Sequence, residues 1–157
     1  HYQVYCTLSL TDEQRKTLLR YHARYLDLYD RTIKAYMKGV KEQEVKGYAF
    51  DDVKPYLPPT DTRAERRWYQ LAARNIAADL ELHYKMKAPH PYTTMKTRET
   101  PVPLNRSIIK TRYNGLKISG TKGFTMLSRD SEDFPTRYDS VVMKYSGSTY
   151  HLIFTCS

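Results

Sequence analysis

The sequence predicts an α+β chain: a small β-barrel, or a sandwich of similar strands, interrupted by a helical insertion of two long helices. Three observations predict it. The opening stretch "HYQVYCTLSL" alternates as a half-buried strand does. Two long segments then place apolar residues three and four apart. From Ile108 onwards, short apolar runs alternate with glycine turns. A lone N-terminal strand needs partners, and only the C-terminal strands can supply them. The helices therefore read as an insertion between the first and second strands of one sheet. The expected boundaries are 1–10 for the first strand, 11–100 for the helical insertion and 101–157 for the remaining strands.

In the first strand, Tyr2, Val4, Cys6 and Leu8 fall on one face, which is the expected buried side. Thr11 and Gln14 form a capping-box pattern, and Asp12 and Glu13 suit a helix N-terminus. The first helix is expected from about Asp12 to Lys38, with Gly39 as its stop. Leu18, His22, Tyr25, Tyr29, Ile33 and Tyr36 mark its buried face, and Arg15, Arg20, Arg24, Arg31 and Lys34 fall around the rest. The connector "VKEQEVKGYAFDDVKPYLPPTDT" is punctuated by Pro55, Pro58 and Pro59 and has room for a short helix. A second long helix is expected from Thr62 to about Lys87, capped by Asp61 or Thr60, with Trp68, Ala72, Ile76 and Leu80 buried. "APHPYTTMKTRETPVPLNR" reads as a long loop. Then come "SIIK", "GLKI", "GFTML", "SVVMKY" and "TYHLIFTC", with turns at Asn114-Gly115, Gly120, Gly123 and Ser146-Gly147-Ser148.

The 157 residues suit one domain or two small units sharing a core. A formal charge of +9 favours an anionic partner: nucleic acid, a membrane surface or an acidic protein. No apolar run approaches the length of a membrane span and no signal peptide opens the chain, so an intracellular protein is expected, with no membrane partner. The 15 tyrosines suit wet interfaces, base stacking and core edges alike. Cys6 and Cys156 exclude a paired-cysteine zinc site. They could bond only if the terminal strands meet, and two buried free thiols are expected instead.

Catalytic patterns are missing. There is no phosphate-binding P-loop, no GxGxxG, no GxSxG and no HExxH. His1, His22, His83, His90 and His151 have no metal-ligand spacing, and the adjacent Asp51 and Asp52 point apart in any regular element. No catalytic residue, metal or cofactor is expected. Nucleic-acid signals are stronger. Arg63, Arg66, Arg67, Gln70 and Arg74 crowd the start of the second helix, where basic residues oppose the macrodipole. Arg66, Gln70 and Arg74 share one face. Arginine can clamp phosphates or guanine edges, and glutamine can pair with adenine. The same spacing also describes a plain solvated basic face. Lys96, Arg98, Asn105 and Arg106 add a basic loop next to the first of the C-terminal strands, and barrels with such faces commonly hold single strands.

Four stretches in order resemble the N-terminal half of the TnpB family (OrfB of transposons), RNA-guided DNA nucleases related to type V CRISPR effectors. "LTDEQRKTLLRYHARYLDLYDRTI" resembles the family's opening helix, with Tyr29-Asp30 at its central Tyr-Asn. "WYQLAARNIAADLELHY" is similar to its second helix, with Gln70, Asn75 and Ile76 in matching places. "NRSIIKTRYNGLKISGTKGF" resembles a stretch ending in "LKLPKLG", and "VVMKYSGSTYHLIFTC" resembles the closing strand pair. The chain departs from the family at Ser9-Leu10-Thr11, where the family has Tyr-Pro, and at His83-Tyr84, where it has Phe-Phe.

The resemblance implies an OB-like wedge barrel with an inserted recognition domain. It implies guide RNA and target DNA as partners. Arg66 and Gln70 fall where the family reads a short motif beside the target, and Asn105 lies near a loop that helps. The family's RuvC nuclease half would begin shortly after Ser157 and is absent from the sequence, so the chain is not expected to cut DNA by itself. A stand-alone regulatory or interaction protein on the same fold, and a subunit completed in trans by a RuvC chain, remain as alternatives.

Overall fold

Strand β1 (Tyr2–Ser9) finds its partners at the far end of the chain. It pairs with β7 (Thr149–Cys156) along most of its length and with β5 (Thr125–Leu127) at its end. With β2 (Val102–Leu104), β3 (Ile109–Arg112), β4 (Gly115–Ile118) and β6 (Ser140–Ser146) they make one antiparallel sheet in the order β2-β6-β7-β1-β5-β4-β3. The computed structural model describes residues 1–44, 47–86, 96–112, 115–128 and 133–157. Asn114 of the expected turn, His90 and the expected helix end at Lys87 lie outside the described residues. The chain divides into two compact units, 1–22 with 98–157 and 23–97. The fold class is α+β.

Connectivity forces the sheet of the first unit to curl. Its edge strands β2 and β3 are joined by residues 105–108 alone, which span at most about 18 Å. Laid flat, the strands between would hold those edges about 29 Å apart. The result is an antiparallel half-barrel. Its concave side carries the alternate residues of each strand. Tyr150, Leu152, Phe154 and Cys156 of β7 are all buried, as are Cys6 and Leu8 of β1. Tyr2 continues the same alternation but is 58% exposed, because it lies at the end of the sheet. The Phe134 and Tyr138 rings close edge-on over Phe154, at 6.0 and 4.9 Å.

The terminal strands do meet, yet the two cysteines do not. Register sets Cys156 opposite Tyr2 and Cys6 opposite Leu152, four places along the ladder. That separation is far beyond disulfide reach, and both thiols are free and buried. The β6–β7 hairpin turns on Gly147 and Ser148 with φ of 59° and 63°, the paired positive values of a type I′ turn. Strand β2 falls inside the stretch expected to be loop. It pairs with β6 through Val102, Pro103 and Leu104, and a proline is tolerated there because β2 is an edge strand.

Helix α1 (Asp12–Lys41) opens with the complete capping box. The Gln14 amide donates to Thr11 Oγ1 at 3.1 Å, and the Thr11 amide donates to Gln14 Oε1 at 3.0 Å. Leu18, His22, Tyr25, Tyr29, Ile33 and Tyr36 are all buried. The helix does not stop at Gly39. It runs to Lys41 and is closed by Gln43, with φ of 62°, where the amides of Gln43 and Glu44 return to the carbonyls of Val40 and Gly39. This is a Schellman closure with glutamine in the left-handed position.

Within the first unit, the His22 ring is buried and its Nδ1 lies 2.9 Å from the Tyr150 hydroxyl. Burial, and then the positive charge of Arg98, lower its pKa to about 4. The ring is neutral at ordinary pH.

The second unit holds the rest of α1, a short helix α2 (Phe50–Val53), a 3-10 turn (Lys54–Tyr56) and helix α3 (Arg63–Met86). Trp68, Leu71, Ala72, Ile76 and Leu80 form the buried stripe of α3. The cap of α3 is Thr62, not Asp61 or Thr60: the Glu65 amide donates to Thr62 Oγ1 at 3.1 Å. Polar ties join α1 to α3. Asn75 donates to the Tyr25 hydroxyl at 2.9 Å, and the Tyr29 hydroxyl donates to Asp79. Burial pushes both phenols well above their usual pKa, so both stay protonated.

Candidate nucleic-acid interface

The first turns of α3 decide the electrostatics of the second unit. Thr62 caps the helix, and Glu65 is the acid of its first turn. Glu65 does not bond back to the cap but forms an ion pair with Arg24 of α1. No ion pair among the described residues engages Arg63, Arg66 or Arg67. Arg63 and Arg66 are exposed, and Arg67 is half-buried. Among the described residues, three guanidinium groups thus stand without an ion-pair partner in the first turns of a helix, near the positive end of its dipole.

Arg66 and Gln70, one turn apart, line a surface hollow of about 410 Å³ with Lys54, Leu57, Pro58, Pro59, Thr60 and Tyr69. Its far wall is the 3-10 turn and the Pro58-Pro59 pair, whose backbone is stiff. The hollow offers one guanidinium, one ammonium, one carboxamide and one phenol around an apolar floor. That combination fits a group with an anionic part and a flat polar edge, as a nucleotide has.

Arg74 stands one turn further along the same face. It lies over the Phe50 ring, 4.2 Å from its centroid, and lines a second hollow with Tyr48, Ala49, Ala77, Ala78 and Glu81. Lys54 approaches the same ring at 5.9 Å. Phe50 lines this second hollow, and Arg74 is partly committed to a cation–π contact.

The remaining expected residues are used differently. Lys96 lies 3.4 Å from Asp79 and 5.3 Å from the Tyr29 ring centroid, within the polar seam of the second unit. Arg98, Asn105 and Arg106 belong to the first unit. Arg98 stands over Tyr145 at 5.6 Å and Arg106 over Tyr138 at 5.1 Å. Asn105 Oδ1 accepts the Ser107 amide at 3.0 Å, the side-chain turn that leads into β3. Lys54 escapes sequence reasoning, since periodicity on α3 says nothing of what a proline-rich connector brings beside it, whereas Tyr69, three residues after Arg66 on the same helix, is within reach of spacing alone.

Among the described residues no group of three His, Cys, Asp or Glu side chains is placed to hold a metal ion. No described helix is long and apolar enough to cross a membrane. The chain matches no protein-family model and no curated protein sequence.

Proposed function

We propose that this chain is a nucleic-acid-binding module of a TnpB-like RNA-guided DNA nuclease, holding guide RNA and target DNA. In this reading the half-barrel is the OB-like wedge and the second unit is the recognition domain. One observation carries the reading: Arg66 and Gln70 share a hollow with Lys54 and Tyr69, beside guanidinium groups with no ion pair among the described residues. Arg66 supplies phosphate or guanine contacts, and Gln70 reads a base edge.

Two measurements test it. Affinity for structured RNA, followed against salt, falls steeply on a log–log plot if several phosphates are neutralised. A flat response overturns the reading. In a selection on randomised duplexes, Gln70→Ala shifts sequence preference more than affinity, whereas Arg66→Ala lowers both. An unchanged preference in Gln70→Ala removes that residue from the reading surface.

A further inference from the structure

The convex side of β3, β4 and β5 carries a second surface, distinct from the hollow beside α3. Register sets Arg112, Gly115, Met126 and Ser9 in one cross-strand row. Partners in such a row project to the same side of a sheet. Lys110 stands opposite Lys117 in the next row, and the β4–β5 register continued by one residue sets Phe124 there too. The opposite side of these strands holds Ile109, Leu116, Ile118 and Thr125, all buried. On the convex side Phe124 is 57% exposed and Met126 52%. Gly115 keeps the floor between Arg112 and Met126 low, since a Cβ there would come within 3.0 Å of the Met126 sulfur and of the Thr125 carbonyl.

Phe124 is held out by a braced turn. The Gln14 side-chain amide donates to the carbonyls of Lys122 and Phe124, both at 3.0 Å, on either side of Gly123 with φ of 73°. The Lys117 ammonium donates to the Thr121 carbonyl and, at 3.4 Å, to that of Gly123. Gln14 is itself buried. A ring projected by a turn already fixed costs little further ordering when it binds. Along this stretch of chain the charge has one sign, and the acids next to the bracing Gln14 are Asp12 and Glu13 of the first turn of α1. No Asp or Glu occurs between Glu99 and Asp130, and Lys110, Arg112 and Lys122 are exposed with no ion pair among the described residues.

We propose that this face binds single-stranded nucleic acid: an unpaired base stacks on Phe124 beside Met126, and flanking phosphates meet Lys110, Arg112 and Lys122. A duplex hides its base faces and would use only the cations. A projecting ring amid cations therefore selects the unpaired strand. The ligand class rests on the function proposed above, but the residues are different ones in the other unit.

The test is fluorescence anisotropy with labelled oligouridylate and oligothymidylate, a blunt DNA duplex, and phosphatidylserine–phosphatidylcholine vesicles. Phe124→Ala is expected to weaken single-strand binding about ten-fold, leave its salt dependence unchanged and spare duplex binding, with Phe124→Trp restoring it. Lys110→Gln and Arg112→Gln each lower the salt slope by about 0.7. A ratio of uridylate to thymidylate affinity above one assigns the strand as RNA, and the reverse as DNA. Unchanged single-strand binding in Phe124→Ala, with a native thermal melt, overturns the proposal, as does a Phe124 requirement for vesicles alone. Arg66→Ala separates the two readings. If only Arg66→Ala weakens binding, the platform fails and the α3 interface stands. If only Phe124→Ala does, the reverse holds.

Discussion

Acidification probes the buried pair of His22 and Tyr150. The folded chain holds His22 neutral down to about pH 4, while the unfolded chain protonates it at the ordinary 6.5. Between those values the unfolded state binds the extra proton, so stability falls as pH falls. The two pKa values give a loss of about 2 kcal/mol from pH 7 to pH 5, with a ceiling of about 3 kcal/mol at stronger acid. The assay is urea unfolding by circular dichroism at both pH values, on the parent and on His22→Asn. The other ionisable groups titrate in both proteins, so the difference between the two pH slopes isolates His22. The parent is expected to lose about 2 kcal/mol more than the variant over that interval. Burial is the first cause of the shift and Arg98 the second, so Arg98→Gln should remove only the smaller part of the dependence. Equal slopes in parent and His22→Asn would refute the reasoning.

Two further substitutions test the local geometry. Gly120 combines φ of 96° with a Tyr21 ring atom 2.4 Å from where a Cβ would stand, so Gly120→Ala is expected to cost about 2 kcal/mol in the urea midpoint. Thr62→Ala removes the cap of α3 and should cost about 1 kcal/mol, while Asp61→Ala, one of the two caps expected from the sequence, should cost little.

Legibility followed the strength of the periodic signal. The buried stripes of α1 and α3 repeat over many turns, and tertiary packing of those stripes is what makes the helices, so both were readable. The pairing of β1 with the C-terminal strands was readable because a half-buried strand must have a partner. Where local chemistry is generic, the signal failed. Gln43 ends α1 in the left-handed conformation, for which glutamine carries no signature, whereas Gly39 carries one and is buried inside the helix. Strand β2 is three residues long with a central proline, too short to show alternation. Thr62 and Glu65 do spell a capping pattern, with Asp61 and Thr60 as stronger-looking neighbours. Arg66, Tyr69 and Gln70 are neighbours on one helix by spacing, but Lys54 joins them only through the fold. Lys96 counts as basic in any composition, yet its charge faces Asp79.

The arrangement at the start of α3 is poor for stability taken alone. A cation in the first turn of a helix opposes the dipole by about 0.3–1 kcal/mol, and Arg63 and Arg66 are exposed there with no ion pair among the described residues. The one first-turn acid, Glu65, answers Arg24 instead. An exposed ion pair of that kind contributes under about 1 kcal/mol, so it does not offset the repulsion left behind. A phosphate at the same place would relieve it, because the helix N-terminus and the guanidinium groups would then act on one anion together. In the proposed reading, the repulsion and the affinity for an anion have the same origin. Replacing Arg63 or Arg66 with glutamate should therefore raise the unfolding midpoint while abolishing binding of the anion.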